Sequence, residues 1–165
     1  MNKWSIEARA FPIKYTPFTH NFWVLTDSNN NIIDQIHGLA VDPITRIATA
    51  IGNSHHLLQV MRDSKIVWSL QRGQPTIICI TDHEIEIRLR WQAAINSMSA
   101  INALKLRYPN LWQHLYKKNS NTIFNTIGQI MGFLMLPPIL PTRAPGINLV
   151  ISQDIINQYL YKQYP

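Results

Sequence analysis

The start of the chain alternates between apolar and polar residues, which is the period expected of a β-strand. Positions 6, 8 and 10 are apolar and positions 7 and 9 are charged, so a half-buried strand is predicted that ends at Pro12. Residues 20–26 are rich in aromatic and branched side chains, residues 27–31 are typical of a turn, and residues 32–37 return as a second strand. These segments predict an antiparallel hairpin whose second strand ends at Gly38, where a loop is predicted to begin.

The register of this hairpin places several polar side chains together. With the turn near Asn29, His20 and Phe22 share a face with Gln35 and His37 of the partner strand, because side chains two positions apart point to the same side. We therefore expect two histidines and an amide to converge on one face of the sheet.

The middle of the chain carries three further apolar runs. Strands are predicted at residues 58–61, 66–70 and 76–80, the last two being separated by a turn segment around Gly73. Cys79 lies in the last run, where a buried structural thiol is expected. Because it is the only cysteine, an intrachain disulfide is excluded.

A helical period begins where the strands end. Residues 81–84 fit a capping box, and apolar residues follow at helical spacing, which predicts an amphipathic helix over residues 82–107 that Pro109 stops. We expect the inward face of this helix to carry Ile85, Leu89, Met98 and Ile101.

A second helix is predicted to begin within two residues of Ser120. Asn119, Ser120 and Asn121 are all favourable capping residues, and the apolar residues of the segment 123–131 follow them. Ser120 therefore lies at the start of a helix, where its surroundings differ from those of a serine in a loop.

The whole pattern is that of one folded domain. A chain of 165 residues with 46% hydrophobic and 15% charged residues is long enough to bury its own core. The proline-rich stretch 136–146 excludes regular structure, so we expect it to wrap the surface before a short element at residues 151–161. We predict a single α+β domain over residues 1–165, with an antiparallel sheet, a long amphipathic helix and a helix that begins at Ser120.

The charge of the chain is unevenly spread. The formal net charge is +6, and residues 88–165 contain eight lysines and arginines against Asp154 alone. Such a surface favours acidic partners, and its alternative interpretation is a face that keeps the protein in solution. No RNP-like motif, zinc-finger spacing or basic heptad region occurs, so we do not predict a nucleic-acid partner.

Targeting segments and bound groups are not predicted. No apolar stretch reaches the length of about 18 residues that marks a membrane span. With neither a transmembrane segment nor a secretory signal, we expect a cytoplasmic protein or one secreted without a cleavable signal peptide. We also predict no cofactor and no metal site, since the adjacent His55 and His56 would point to opposite faces of a strand.

Ser120 is the candidate nucleophile. At a helix N-terminus, unpaired backbone N–H groups and the helix dipole stabilise a developing oxyanion, and Asn119 and Asn121 flank the serine at this place. Lys117 and Lys118 just before it add positive potential and are candidates for binding the substrate. An ordinary capping role is the alternative for Ser120.

His20 is the candidate base. A neutral imidazole can accept the serine proton, and His37 or Gln35 of the partner strand can orient the ring. We therefore expect the Ser120 hydroxyl to lie within about 4 Å of a His20 ring nitrogen.

A histidine on an early strand, a polar residue on the paired strand and a much later helix start resemble the circularly permuted papain-like hydrolases. The matching stretch is Asn119-Ser120-Asn121-Thr122-Ile123-Phe124, with Tyr116 upstream of it. It is similar to the Asn-Cys-(Asn/Glu)-(His/Ser)-Phe motif of the NlpC-related, lecithin:retinol acyltransferase-like and PPPDE peptidase groups. By this resemblance Ser120 takes the place of the catalytic cysteine, His20 that of the base, and His37 or Gln35 that of the third polar residue.

The resemblance implies a permuted papain-like core and a hydrolase or acyltransferase. The enzyme would cleave a peptide or peptidoglycan amide, or a lipid ester, through an acyl-enzyme on Ser120. Serine in place of cysteine leaves three readings open: a natural serine variant, a decayed site used for binding, or a cysteine that was deliberately replaced. The alternative function is a non-catalytic binding domain for a protein or an acidic ligand. A bacterial effector toxin domain also fits, with an immunity protein or a host target as its partner.

Overall fold

The protein has an α+β fold, as the sequence predicts. A computed structural model describes residues 3–133, 140 and 142–162. The strands are β1 Lys3–Pro12, β2 Thr19–Thr26, β3 Ile32–Val41, β4 Ala48–Thr49, β5 Leu57–Arg62 and β6 Thr76–His83. The helices are α1 Glu84–Ala103, α2 Ser120–Ile130 and α3 Gln153–Tyr159, with a 3₁₀ helix before α2 at Leu111–Leu115.

The strands form one antiparallel sheet in the order β4-β3-β2-β1-β6, with β5 paired to β3. β1 and β2 pair along their length, and β2 and β3 form the predicted hairpin. The pairing of β2 with β3 stops at Trp23 and Ile36, whereas β3 continues beside β5. The edge of β2 at residues 19–22 is therefore left for another element.

β3 is longer than the sequence predicts. The loop expected after Gly38 is wrong, because the strand runs through this glycine to Val41 and pairs there with β5. A Cβ on Gly38 would lie 2.7 Å from Ile123 Cβ and 2.8 Å from the Ser120 carbonyl oxygen. The glycine is thus needed for the close approach of α2 to the sheet rather than for a turn.

Two other strand predictions also need correction. Residues 66–70 form turns instead of a strand, and Trp68 of this segment packs on the histidines of β2 and β3. β1 is buried on both faces rather than half-buried, since Glu7 is only 6% exposed. The Glu7 carboxylate tolerates burial because it accepts hydrogen bonds from Arg9 at 2.7 Å and from the Thr26 hydroxyl at 3.3 Å.

Cys79 is only partly buried, contrary to the prediction of a buried thiol. Its strand, β6, lies at the end of the sheet and has a neighbour on one side. The burial that remains is still sufficient to raise the pKa of Cys79 to about 11. This thiol is therefore protonated and unreactive at neutral pH.

Helix α1 differs from its prediction in its start and in its buried face. The predicted capping box is wrong, because residues 81–83 belong to β6 and the helix begins without a side-chain cap. Ile85 and Leu89, predicted to face inward, are 75% and 50% exposed. Trp91 instead faces inward and donates its indole N–H to Asp34 Oδ2 at 2.8 Å. The buried stripe is Ile87, Trp91, Ala94, Ser97 and Ile101.

The predicted end of α1 is wrong, whereas the predictions for the two later helices are confirmed. Helix α1 stops at Ala103 rather than at residue 107, because Lys105 leaves the helical region with a φ of 48°. α2 begins at Ser120 as predicted, and α3 lies within the predicted tail element. Of the proline-rich stretch, residues 136–139 and 141 lie outside the described residues, and residues 142–146 are in neither helix nor strand.

The core lies between the sheet and the helices α1 and α2. Trp23 of β2 stacks on Phe124 of α2 with ring centroids 4.3 Å apart and donates its indole N–H to the Phe124 carbonyl oxygen at 2.8 Å. This pair fixes α2 against β2 next to the strand's open edge. Within the ranges that the structure describes, no helix is long and apolar enough to cross a membrane.

Candidate active site

Three polar side chains of the hairpin form a buried hydrogen-bonded row. His20 Nε2 lies 3.0 Å from His37 Nδ1, and His37 Nε2 lies 3.2 Å from Gln35 Oε1. All three side chains are fully buried, on one face of the sheet. The structure thus brings His20, His37 and Gln35 together in the way that the hairpin register predicts.

The direction of the hydrogen bonds along this row follows from its last member. Gln35 donates its amide N–H to the Ile66 carbonyl oxygen at 2.8 Å, which leaves Gln35 Oε1 as an acceptor. His37 Nε2 must then donate, so His37 Nδ1 accepts from His20 Nε2–H. This assignment from the hydrogen-bond network leaves Nδ1 as the proton-free nitrogen of His20.

The row is neutral because aromatic rings enclose it. Phe22 stacks on His37 with centroids 4.5 Å apart, and Trp68 lies 5.9 Å from His20 and 5.8 Å from His37. Burial lowers the pKa of His20 from 6.5 to about 4. Burial and, secondarily, the charge of His20 lower the pKa of His37 well below its usual range. Both imidazoles are therefore uncharged at neutral pH.

Ser120 is the first residue of α2 and does not cap it. The cap is Asn119, whose side chain accepts hydrogen bonds from the backbone N–H groups of Asn121 and Thr122. The Thr122 hydroxyl in turn accepts from the Asn119 N–H at 3.1 Å. The interpretation of Ser120 as an ordinary N-cap is therefore wrong, and its hydroxyl is not used by the helix start.

The hydroxyl and the backbone N–H of Ser120 have different surroundings. Ser120 Oγ lies 3.5 Å from the Tyr108 hydroxyl, which is 3.1 Å from the Ala50 carbonyl oxygen. Burial raises the pKa of Tyr108 to about 12, so the phenol keeps its proton. The Ser120 N–H makes no hydrogen bond to any described residue, whereas the next two N–H groups of the helix are taken by the cap.

Asn121 joins the start of α2 to β2 at His20. Its side chain accepts from the Asn21 backbone N–H at 2.9 Å and donates to the Thr19 carbonyl oxygen at 3.0 Å. These backbone groups stand on either side of His20, along the edge of β2 from which β3 has separated. Helix α2 takes the place of β3 there, so Ser120 and His20 both adjoin one hydrogen-bonded junction.

His20 and Ser120 are not hydrogen-bonded to each other. His20 Nδ1 is buried and has no hydrogen-bond partner among the described residues, while the Ser120 hydroxyl is turned to Tyr108. The expected contact therefore does not exist as a hydrogen bond in this state. The hydroxyl and the proton-free nitrogen that such a contact needs are both present.

A small cavity lies beside Ser120. Its walls are the β1–β2 connection, the 3₁₀ helix and the start of α2, and its free volume of about 20 Å³ holds about one water molecule. His114 packs edge-on against Tyr108 with ring centroids 5.3 Å apart, and its Nε2 is buried without a partner in the described part of the chain. The lining includes Thr16, Phe18, Tyr108, His114, Ser120 and Pro145.

The other predicted site residues have structural contacts or lie in solvent. The amide of Asn119 donates to the His114 and Pro145 carbonyl oxygens, both at 3.0 Å, so it is not free to bind an oxyanion. Asn121 is committed to β2 in the same way. Lys117 and Lys118 are exposed, and Lys118 Nζ donates to a backbone carbonyl at 2.7 Å.

Sequence reasoning missed Tyr108 and His114. Neither lies on a periodic face, because one follows the end of α1 and the other belongs to the 3₁₀ helix, so only the folding of this connection brings them to Ser120. The tyrosine that the motif singles out, Tyr116, is 65% exposed. The Tyr-Pro pair at residues 108–109 lies beyond the end of α1 at Ala103, so no local pattern points to either residue.

Comparison with known proteins adds no assignment to this geometry. No protein-family model, no curated protein and no solved structure matches the chain. Its function must therefore be inferred from the arrangement of its own residues.

Proposed function

We propose that this protein is a papain-like acyl hydrolase or acyltransferase in which Ser120 is the nucleophile and His20 the base. The observation that supports this most strongly is the junction at Asn121, which ties the strand on both sides of His20 to the helical turn that begins at Ser120. A nucleophile at a helix start beside a histidine strand is the arrangement of the permuted papain-like core.

The polar row supports His20 as a general base. His37 accepts from His20 Nε2–H and thereby keeps Nδ1 free of a proton, while Gln35 holds His37 in the matching tautomer. In the proposed reaction the Ser120 hydroxyl gives its proton to His20 Nδ1 as its oxygen attacks the substrate carbonyl carbon. The imidazolium that forms is stabilised by the lone pair of His37 Nδ1.

The start of α2 supports stabilisation of the oxyanion. The Ser120 N–H is unpaired among the described residues and stands at the positive end of the helix dipole, so in the proposed reaction both would stabilise the charge that develops on the carbonyl oxygen. One such donor is worth about 3 kcal/mol of barrier in acyl transfer. The leaving group then takes the proton from His20, and water or a second acceptor releases the acyl group from Ser120. The bond class that fits this scheme is a peptide or peptidoglycan amide, or a lipid ester.

A non-catalytic binding domain is the second candidate. The hydrogen bond of Ser120 to Tyr108 and the cavity of about 20 Å³ favour it. A substrate carbonyl can reach Ser120 only if this hydrogen bond breaks and the walls of the cavity move apart. In this alternative the surface around Ser120 binds a protein or an acidic ligand, and the polar row only specifies the packing of the hairpin.

A fluorophosphonate probe distinguishes the two candidates, since it modifies serine hydroxyls that a neighbouring base activates. We expect mass spectrometry to find the adduct on Ser120 in the unchanged protein and no adduct in Ser120→Ala or His20→Ala. His55→Ala, which changes an exposed histidine, is the control and should keep the adduct. A folded protein that is not modified at Ser120 would reject the catalytic proposal in favour of the binding domain.

A further inference from the structure

Two connections beside the Ser120 cavity expose large apolar side chains. The exposed fractions are 104% for Tyr15, 81% for Trp112, and 65% for both Leu115 and Tyr116. We call these four residues the aromatic patch. Tyr15, Trp112 and Leu115 also line a groove of about 350 Å³, together with Thr16, Pro17 and Phe18. A cluster of this kind on a folded protein indicates an interaction surface.

The backbone holds Tyr15 outward. The β1–β2 connection is closed by hydrogen bonds from the Ile13 N–H to the Phe18 carbonyl at 3.0 Å and from the Thr16 N–H to the Ile13 carbonyl at 3.1 Å. Tyr15 stands at the tip with a φ of 63°, which is unfavourable for a bulky residue. The strained residue gains no burial within the protein, so its ring is available to a partner.

The segments that carry the aromatic patch have charged residues of one sign. The segments 8–26 and 87–153, which supply the patch and the walls of its groove, contain no aspartate or glutamate. Lys14 precedes Tyr15, and Lys117 and Lys118 follow Tyr116, and all three lysines are exposed. The patch is therefore an apolar surface with a positive rim.

We propose that the aromatic patch docks this protein on an anionic membrane surface. Tyrosine and tryptophan rings are suited to the headgroup region of a bilayer, Leu115 extends the apolar contact, and lysines attract anionic headgroups. Single-stranded nucleic acid also combines ring stacking with positive charge. It fits less well here, because Leu115 and Pro17 add apolar surface that a base cannot use for stacking, whereas a bilayer interface can bury it.

Docking in this orientation has a consequence for the candidate site. The groove and the Ser120 cavity share Thr16 and Phe18 as walls, so the docked protein holds the cavity at the membrane surface. That a lipid ester is the substrate rests on the proposed function. The docking itself does not depend on Ser120, and Ser120→Ala should bind membranes as the unchanged protein does.

Sedimentation with vesicles tests the docking. We expect the full chain to sediment with vesicles of equal parts phosphatidylglycerol and phosphatidylcholine, to stay in solution with pure phosphatidylcholine, and to dissociate as salt is raised. Trp112→Ala should weaken binding roughly tenfold or more, given the burial that an aromatic ring gains at the interface. Ile44→Ala is the matched control, because Ile44 is 89% exposed in a different loop, and it should leave binding unchanged.

A charge exchange tests the positive rim. Lys14→Glu with Lys117→Glu should weaken binding by roughly thirtyfold or more, since each lysine near an anionic surface contributes about 1 kcal/mol, or about a fivefold factor. Lys65→Glu with Arg72→Glu, at exposed positions outside the patch, alters the net charge equally and should have a much smaller effect. Absent vesicle binding, or equal losses in patch and control variants, would overturn the proposal. Binding of an oligothymidylate that Trp112→Ala abolishes, without vesicle binding, would replace the membrane with nucleic acid.

Discussion

A single glutamine determines where the protons of the polar row lie. Gln35 donates to the Ile66 carbonyl and accepts from the Ser69 hydroxyl at 3.2 Å as well as from His37. If the amide of Gln35 were rotated by 180°, its oxygen would face the Ile66 carbonyl oxygen and its NH₂ group would face the N–H of His37. One orientation is therefore strongly favoured. The proton-free nitrogen of His20 is therefore a property of the folded protein, since it depends on Ile66 and Ser69 as well as on the hairpin, and it exists before any substrate binds.

The buried histidines make stability depend on pH. The unfolded chain protonates His20 near 6.5, whereas burial holds the pKa in the folded protein at about 4. The unfolded state thus binds more protons between these pH values, and the free energy of unfolding decreases as pH falls from 6.5 to 4, by about 3 kcal/mol for this residue. Above pH 6.5 both states are neutral and this dependence vanishes.

Urea unfolding at a series of pH values measures this effect. We expect His20→Asn to lose less stability than the unchanged protein on acidification, because one buried titrating group is removed. His55→Asn, at an exposed position, should follow the unchanged protein. Parallel pH curves for the unchanged protein and His20→Asn would show that the row is not buried in the neutral form.

At the scale of elements, the site depends on the junction between α2 and the open edge of β2. Asn121→Asp keeps the shape of the side chain but replaces the donor to the Thr19 carbonyl with a carboxylate oxygen. Two acceptors then face each other in a buried place, so we expect the free energy of unfolding to fall by about 1–3 kcal/mol. Labelling of Ser120 by the fluorophosphonate should fall at least tenfold under conditions where the variant is folded, as circular dichroism can verify. Unchanged labelling would mean that the junction does not position the serine.

The close approach at Gly38 gives a second test of the same placement. In Gly38→Ala the new methyl group would meet Ile123 Cβ at 2.7 Å and the Ser120 carbonyl oxygen at 2.8 Å, so α2 must shift at a cost of about 1–3 kcal/mol. Gly73→Ala is the control, because Gly73 has a φ of 74° but no atoms within 4 Å of the added group. Both variants should lose stability, and only Gly38→Ala should lose labelling of Ser120. Equal labelling in the two would contradict the placement.

Local sequence patterns predict some elements and not others for a physical reason. The hairpin and the start of α2 follow from turn and capping residues, which act over a few positions. The buried face of α1 does not, because the helix has apolar residues on more than one side. Ile85 and Leu89 have the right spacing, but Trp91 is the residue that reaches a buried partner, Asp34. The sheet against which α1 packs therefore determines which face of the helix is buried.

At the scale of the whole molecule, the candidate site combines one predictable part with one that is not. His20, His37 and Gln35 converge because strand alternation is local, so their positions follow from the sequence. The separation of β3 from β2 and the contact of Tyr108 with Ser120 depend on how distant segments pack, and no periodicity encodes them. The uneven distribution of charge is visible in the sequence, but only the fold brings the lysines and the aromatic patch to one surface.

The most direct test of the account is the reactivity of a cysteine at position 120. Ser120→Cys, combined with Cys79→Ser to remove the other thiol, is alkylated with iodoacetamide over a range of pH and compared with the same protein carrying His20→Ala. A helix start and a neighbouring imidazole should give an apparent pKa well below the free value of about 8.5, and the shift should shrink without His20. A thiol that titrates at or above about 8.5, equally with and without His20, would contradict the claim that His20 activates this residue.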